Sequence, residues 1–202
     1  MITVRDVPGP GQPLPPPRSD VSVTVGSDGS FRARLTAFPD VEAERSPPRH
    51  VVLRVESPSA LPAFRDAWLH TGDAVDVGTI LLLARDPAVT VIGPEGGTAS
   101  DSQGTIEVNV PAGALAAPVP IRITPIPVRA AFPAPLPDST PTLYGFELEP
   151  SGTQFAQPVT VRVANTRNIP TSLSIPTGYF DEVHGRWEHE AQAVWDGARF
   201  RF

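Results

Sequence analysis

Proline sets the limits of this chain. Twenty-six of its 202 residues are proline, spread along the chain from Pro8 to Pro176. Inside a helix each would remove a hydrogen bond and clash with the preceding turn, at a cost of roughly 3 kcal/mol, so long helices are not available. What recurs between the prolines is alternation with a period of two, the mark of strands with one buried and one wet face. Val21, Val23 and Val25 alternate with Ser22 and Thr24; after Gly26-Ser27-Asp28-Gly29 the pattern resumes as Phe31, Ala33 and Leu35 alternating with Arg32 and Arg34. This predicts a β-hairpin whose turn uses Asp28-Gly29.

The same pattern predicts strands at Val51 to Val55, Trp68-Leu69, Val75 to Leu83, Val89 to Ile92, Gly104 to Val110, Ile121 to Thr124, Tyr144 to Glu149, Val159 to Val163, Tyr179-Phe180, Arg186-Trp187 and Arg199 to Phe202. Ile80-Leu81-Leu82-Leu83 is apolar on both faces, so the strand ending there is expected to be central and covered on both sides. Turn signals separate these segments at sandwich spacing. The expected fold class is all-β: two tandem β-sandwich modules with Pro-rich loops, residues 1–86 and 87–202, divided at the short linker Arg85-Asp86-Pro87. Pro8 to Pro17 and Phe132 to Pro141 read as stiff surface loops, with a polyproline ligand as the alternative reading.

Composition narrows the function. Proline and the 16 glycines together make about a fifth of the chain, below the level at which aperiodic Pro- and Gly-rich chains stay disordered, and the 40% of hydrophobic residues supports folding. All 16 basic residues are arginine, scattered along the chain, and the net charge is -6; a nucleic-acid partner would call for a basic stripe. There is no cysteine, which excludes disulfides and thiolate chemistry. No run approaches the ~18 apolar residues of a membrane helix, so membrane insertion is not expected. Met1 to Pro17 lacks the features of a signal peptide; an exported parent would carry its signal elsewhere. Because Met1-Ile2-Thr3-Val4 reads as the middle of a strand, the chain is expected to be a piece of a longer protein.

Two family resemblances follow from ordered motifs. Gly29-Ser30-Phe31, Leu53-Arg54-Val55-Glu56-Ser57-Pro58, Leu61-Pro62-Ala63-Phe64 and Gly72-Asp73-Ala74-Val75-Asp76-Val77-Gly78-Thr79-Ile80-Leu81-Leu82 resemble the carboxypeptidase regulatory-like family of transthyretin-like sandwiches, over about residues 20–84. Gly93-Pro94-Glu95-Gly96-Gly97-Thr98, Ile106 to Leu115 with its Pro111-Ala112-Gly113 corner, Leu148 to Phe155 with Pro150-Ser151-Gly152, and Pro158 to Val161 are similar to the ZU-five domain of ankyrins and netrin receptors, over about residues 90–165. With the trailing Tyr179-Phe180-Asp181-Glu182, Gly185-Arg186-Trp187, Asp196-Gly197 and Phe200, the combination resembles the region before the repeat shell of large bacterial surface proteins, including Rhs/YD-repeat proteins. The resemblances imply an accessory module without turnover. It would be extracellular, on the cell surface or part of an exported toxin, touching other domains of its parent or a protein partner.

Few side chains offer chemistry. Some ZU-five-type domains cut their own chain at His-x-Ser, but Val52, Gly72, Arg186 and Ala191 stand two positions after His50, His70, His184 and His189, so self-cleavage is not expected. His184 and His189 with Asp181, Glu188 or Glu190 could bind zinc, yet positions five apart on a strand face opposite sides. Asp28, Asp101, Asp138 and Asp181 could bind calcium, but they sit in predicted turns and form no D-x-D-x-D run. Asp181-Glu182 cannot flank one glycosidic bond as adjacent strand residues, and nucleophile elbows and phosphate loops are missing. No enzyme activity, catalytic residue, metal or cofactor is therefore expected. Trp68, Tyr179, Phe180, Trp187, Trp195, Phe200 and Phe202 are read mainly as core, with stacking against sugars or a protein as the alternative; Tyr179, Trp187 and Trp195 lead for a glycan site. The runner-up function is thus a carbohydrate- or calcium-binding adhesin-like module, and oligomeric state stays open.

Overall fold

The computed structural model describes residues 1–8, 12–13, 15–19, 21–35, 49–70, 72–127, 129–136 and 142–202. Parts of both Pro-rich stretches, and Asp138, lie outside the described residues. The fold is all-β. Among the described residues the only helix is one 3-10 turn, Arg129–Ala131, and every described strand pairing is antiparallel. The chain divides into two compact units. The first comprises residues 1–82, 133–135 and 180–187, and the second the remainder.

In the first unit, β1 (Ile2–Asp6), β4 (Arg49–Ser57) and β5 (Ala60–Leu69) form a sheet in the order β1-β4-β5, and β2 (Val21–Val25) pairs with β3 (Phe31–Leu35) as a separate ribbon. The predicted hairpin is present, with Gly29 at φ +83° and Asp28 Oδ1 accepting the Ser30 N–H at 2.9 Å. Val4, Val51 and Leu53 form the core between sheet and ribbon, against Val21, Phe31, Ala33 and Leu35. Pro62 is accommodated where β4 and β5 slip register between Val55 and Ser57; at such a bulge the ladder needs no N–H from it.

The expected central strand at Val75 to Leu83 is not there. Its residues belong to no strand, and Leu81 is 48% exposed. The physical reason lies in Asp76-Val77-Gly78: Gly78 takes φ +71° and donates its N–H to Asp76 Oδ1 at 2.8 Å, closing a local turn. Extension is broken there, and only Val77 and Ile80 pack on the core.

In the second unit a sheet of β6 (Thr90–Ile92), β9 (Val119–Pro125) and β10 (Phe146–Glu149), ordered β10-β9-β6, packs on part of a larger one. That larger sheet runs β12-β13-β14-β11-β8-β7, with β7 (Gly97–Ser100), β8 (Ile106–Val110), β11 (Thr160–Val163), β12 (Ile175–Asp181), β13 (Arg186–Trp195) and β14 (Phe200–Arg201). Ile92, Ile121 and Ile123 from one sheet meet Ala99, Ile106, Val108, Val110, Val161 and Val163 from the other, giving the face-to-face packing of a β-sandwich. β7 has no counterpart among the strands expected from the sequence; Gly97 opens it.

Ile123 is fully buried at the centre of this core, whereas Val25 is 64% exposed. Ile123→Ala is expected to cost about 2–5 kcal/mol and Val25→Ala no more than about 0.5 kcal/mol, both read from urea unfolding midpoints.

Candidate functional site

The alternation of β4 sorts its side chains. Val51, Leu53 and Val55 face the ribbon core, while His50, Val52, Arg54 and Glu56 face the opposite side. Register carries this second face outward in both directions: His50, Val52 and Arg54 stand opposite Trp68, Asp66 and Phe64 of β5, and Val52 stands opposite Arg5 of β1. A strip of charged and aromatic side chains therefore crosses the sheet.

The middle of the strip is covered by sequence-distant parts of the same unit. Val52, Phe64 and Ala134 are buried together, with Val7, Phe180 and Trp187 packed on them. The Phe180 ring lies 5.4 Å from Phe64 and 5.5 Å from Trp187. The Phe64 N–H donates to the Pro133 carbonyl at 2.6 Å, and Trp187 Nε1 donates to the Pro135 carbonyl at 2.9 Å. Gly185, at φ +66°, approaches so closely that a β-carbon there would lie 3.1 Å from Val52 Cγ2.

Beside this cover, Arg54 lies over the Phe64 ring, 5.4 Å from its centre, and pairs with Glu56 at 3.0 Å and Glu182 at 3.4 Å. A cavity of about 30 Å³ opens among Arg5, Asp6, Arg54, Phe64 and Glu182. That is room for about one or two waters, not for a substrate. Burial pushes the Glu182 carboxyl above the usual glutamate range; Glu56 and Asp181 act in the same direction, and Arg54 and Arg5 oppose it. Asp6 is held by Arg18 at 3.0 Å and Arg49 at 2.6 Å.

The far end of the strip is open. Trp68, on the edge strand β5, is 57% exposed. Its ring stacks on His50 with centres 4.4 Å apart and planes only 4° from parallel. His50 Nε2 in turn lies 3.3 Å from Asp66 Oδ2, a contact that orients the imidazole. The result is a propped indole with polar groups at its flank.

The other predicted candidates have structural roles. Asp101 is buried, accepting the Ile106 and Gln103 N–H groups at 2.5 and 3.1 Å. Asp181 accepts the Val183 N–H at 2.8 Å and contacts the His184 ring; burial raises its pKa, but these bonds more than offset it and hold the carboxyl below the ordinary value. Glu182 meets Arg54 instead, so the adjacent carboxylates Asp181 and Glu182 serve different neighbours. His70 contacts Asp73 at 3.2 Å, and His189 Nε2 lies 3.4 Å from Gln192 Nε2. Among the described residues no three His, Asp or Glu side chains gather as a metal set.

The aromatics divide in a way the sequence did not indicate. Trp187 packs in the first unit, while Trp195, Phe200 and Phe202 pack in the second. Of the three leading glycan candidates only Tyr179 is exposed, and Trp68, read mainly as core, is the more exposed residue. The sequence carries one sign of this: Trp68 shares a strand parity with Asp66 and His70, both polar. No family model matches the chain, and no curated protein matches it.

The raised pKa of Glu182 means that the folded state holds this proton more tightly than the unfolded chain does. Its contribution to stability is present at acid pH and is lost as pH rises from the ordinary glutamate value through the folded one. Glu182→Gln, which stays neutral, is therefore expected to gain stability relative to wild type as pH is raised from about 4 to 7; parallel urea titrations at the two pH values check the sign.

Proposed function

We propose that the chain is a non-catalytic structural and protein-contact module of a larger bacterial surface, secreted or Rhs-type protein. The observation that carries this reading is Trp68. A large aromatic on an edge strand, rigidified by its stack on His50 and left 57% exposed, has the character of an interface anchor, because it buries much area at little entropic cost. Its partner is another domain of the parent or a separate protein. The surface or exported setting is supported by the motif resemblances.

The use made of the carboxylates supports a module without turnover. Asp28, Asp86, Asp101, Asp181 and Asp196 each accept backbone N–H bonds in turns. In each case the carboxylate helps to hold a loop. Calcium takes six to eight oxygens, and among the described residues no three acidic or histidine side chains gather to supply them. A carbohydrate remains the second reading, because the free face of Trp68, flanked by Asp66 and His50, suits a sugar ring.

A photo-crosslinking residue placed at position 68 of the parent protein distinguishes the two. The protein-contact reading predicts crosslinked peptides from another domain or a defined protein, suppressed when the unlabelled wild-type chain competes. The carbohydrate reading instead predicts saturable changes in tryptophan fluorescence on titration with cello- or chito-oligosaccharides, lost in Trp68→Phe. Crosslinks to nothing, with saturable sugar binding, would overturn the leading proposal.

A further inference from the structure

Thr79-Ile80-Leu81-Leu82-Leu83 is uncharged, free of proline and glycine and rich in aliphatic side chains, the composition of a strand. The structure nevertheless assigns it to no strand. The Asp76–Gly78 turn anchors the segment on one side, so that Val77 and Ile80 contact the first unit's core while Leu81 is left 48% exposed. Local preference and local structure disagree here, a conflict that folded chains usually relieve by pairing.

The same unit carries a complementary defect. β2 and β3 form a ribbon of only two strands, held to the first unit by the packing of Val21, Phe31, Ala33 and Leu35 on its core. Among the described residues β2 has β3 as its one neighbour in the sheet, so its outer edge is open to pairing. Along that edge Val23 and Val25 are 37% and 64% exposed, on the face they share with Ala33 and Phe31. β2 has five residues, matched by the five from Thr79 to Leu83.

We propose that two copies of this chain associate by reciprocal strand addition, Thr79–Leu83 of each pairing with the open edge of β2 in the other and setting Leu81 beside Val23 and Val25. A second copy is the fitting occupant because one chain supplies both halves, and two such exchanges related by a twofold axis close without leaving either edge to propagate. The inference rests on the protein-contact reading and specifies one surface for it, separate from Trp68.

Sedimentation of the whole 202-residue chain over a hundredfold concentration range, with hydrogen exchange at each end of that range, tests it. The expected result is a rise from the 21.5 kDa monomer towards twice that mass, with amides of Thr79–Leu83 and of β2 exchanging at least tenfold more slowly at high concentration. Leu81→Asp and, separately, Val25→Glu are each expected to hold the chain monomeric; both side chains are exposed in the monomer, and unchanged thermal melting at low concentration verifies folding. A monomer at every concentration, or amides of Thr79–Leu83 already slow in the monomer, overturns the proposal. A dimer that survives both substitutions but dissolves in Trp68→Ala overturns it too, while leaving the protein-contact reading standing.

Discussion

Everything in the first unit depends on the register of β4, which is used on both of its faces. Val51 and Leu53 fill the core beneath the β2–β3 ribbon, and Val52, one step out of phase, is buried on the opposite side with Phe64. Because the side-chain period of a strand is two, slipping by one residue would drive His50, Arg54 and Glu56 into the ribbon core and turn Val51 and Leu53 towards the charged strip. Burying unpaired charge costs far more than the exchange of one valine for another returns. The pairing Val52↔Asp66 and Arg54↔Phe64 is thereby enforced, and with it the neighbours that make the strip: Arg54 over Phe64, His50 against Trp68.

Proline and aspartate meet opposite backbone needs. Proline is tolerated where no ladder bond is required, as Pro62 is at the β4–β5 irregularity. Aspartate fills the opposite need by accepting backbone N–H groups that the turns leave without strand partners: Asp101 for Gln103 and Ile106, Asp86 for Ala88 and Ser102, Asp196 for Ala198 and Arg199. Asp196 accepts two backbone bonds in addition to the Arg162 side chain, and its carboxyl lies far below the ordinary value. These turn carboxylates hold the architecture together.

Local grammar was legible and distant closure was not. The β2–β3 hairpin could be read outright, because alternation and the Asp28-Gly29 turn agree within a span of fifteen residues, Val21 to Leu35. The strand expected at Val75 to Leu83 failed because Asp76 and Gly78 form a turn whose signal, a single Asp-x-Gly, is weaker than the aliphatic run that follows. The covering of Val52 and Phe64 by Pro133–Pro135 and Phe180–Trp187 leaves no local pattern at all, since each contact joins segments many tens of residues apart. Trp68 illustrates the same limit: composition favours a buried tryptophan, but the cover that buries Phe64 on the same face of β5 does not include it, and it stays exposed.

Cross-strand nuclear Overhauser effects in the first unit measure the β4 register directly. The structure predicts strong contacts from the His50 ring to the indole of Trp68 and from Val52 methyls to the Phe64 ring, with Val51 methyls seeing Val4 and the ribbon. Contacts from Val51 to Phe64, with His50 remote from Trp68, would show the strand in the opposite phase and remove the basis for both the core and the exposed indole.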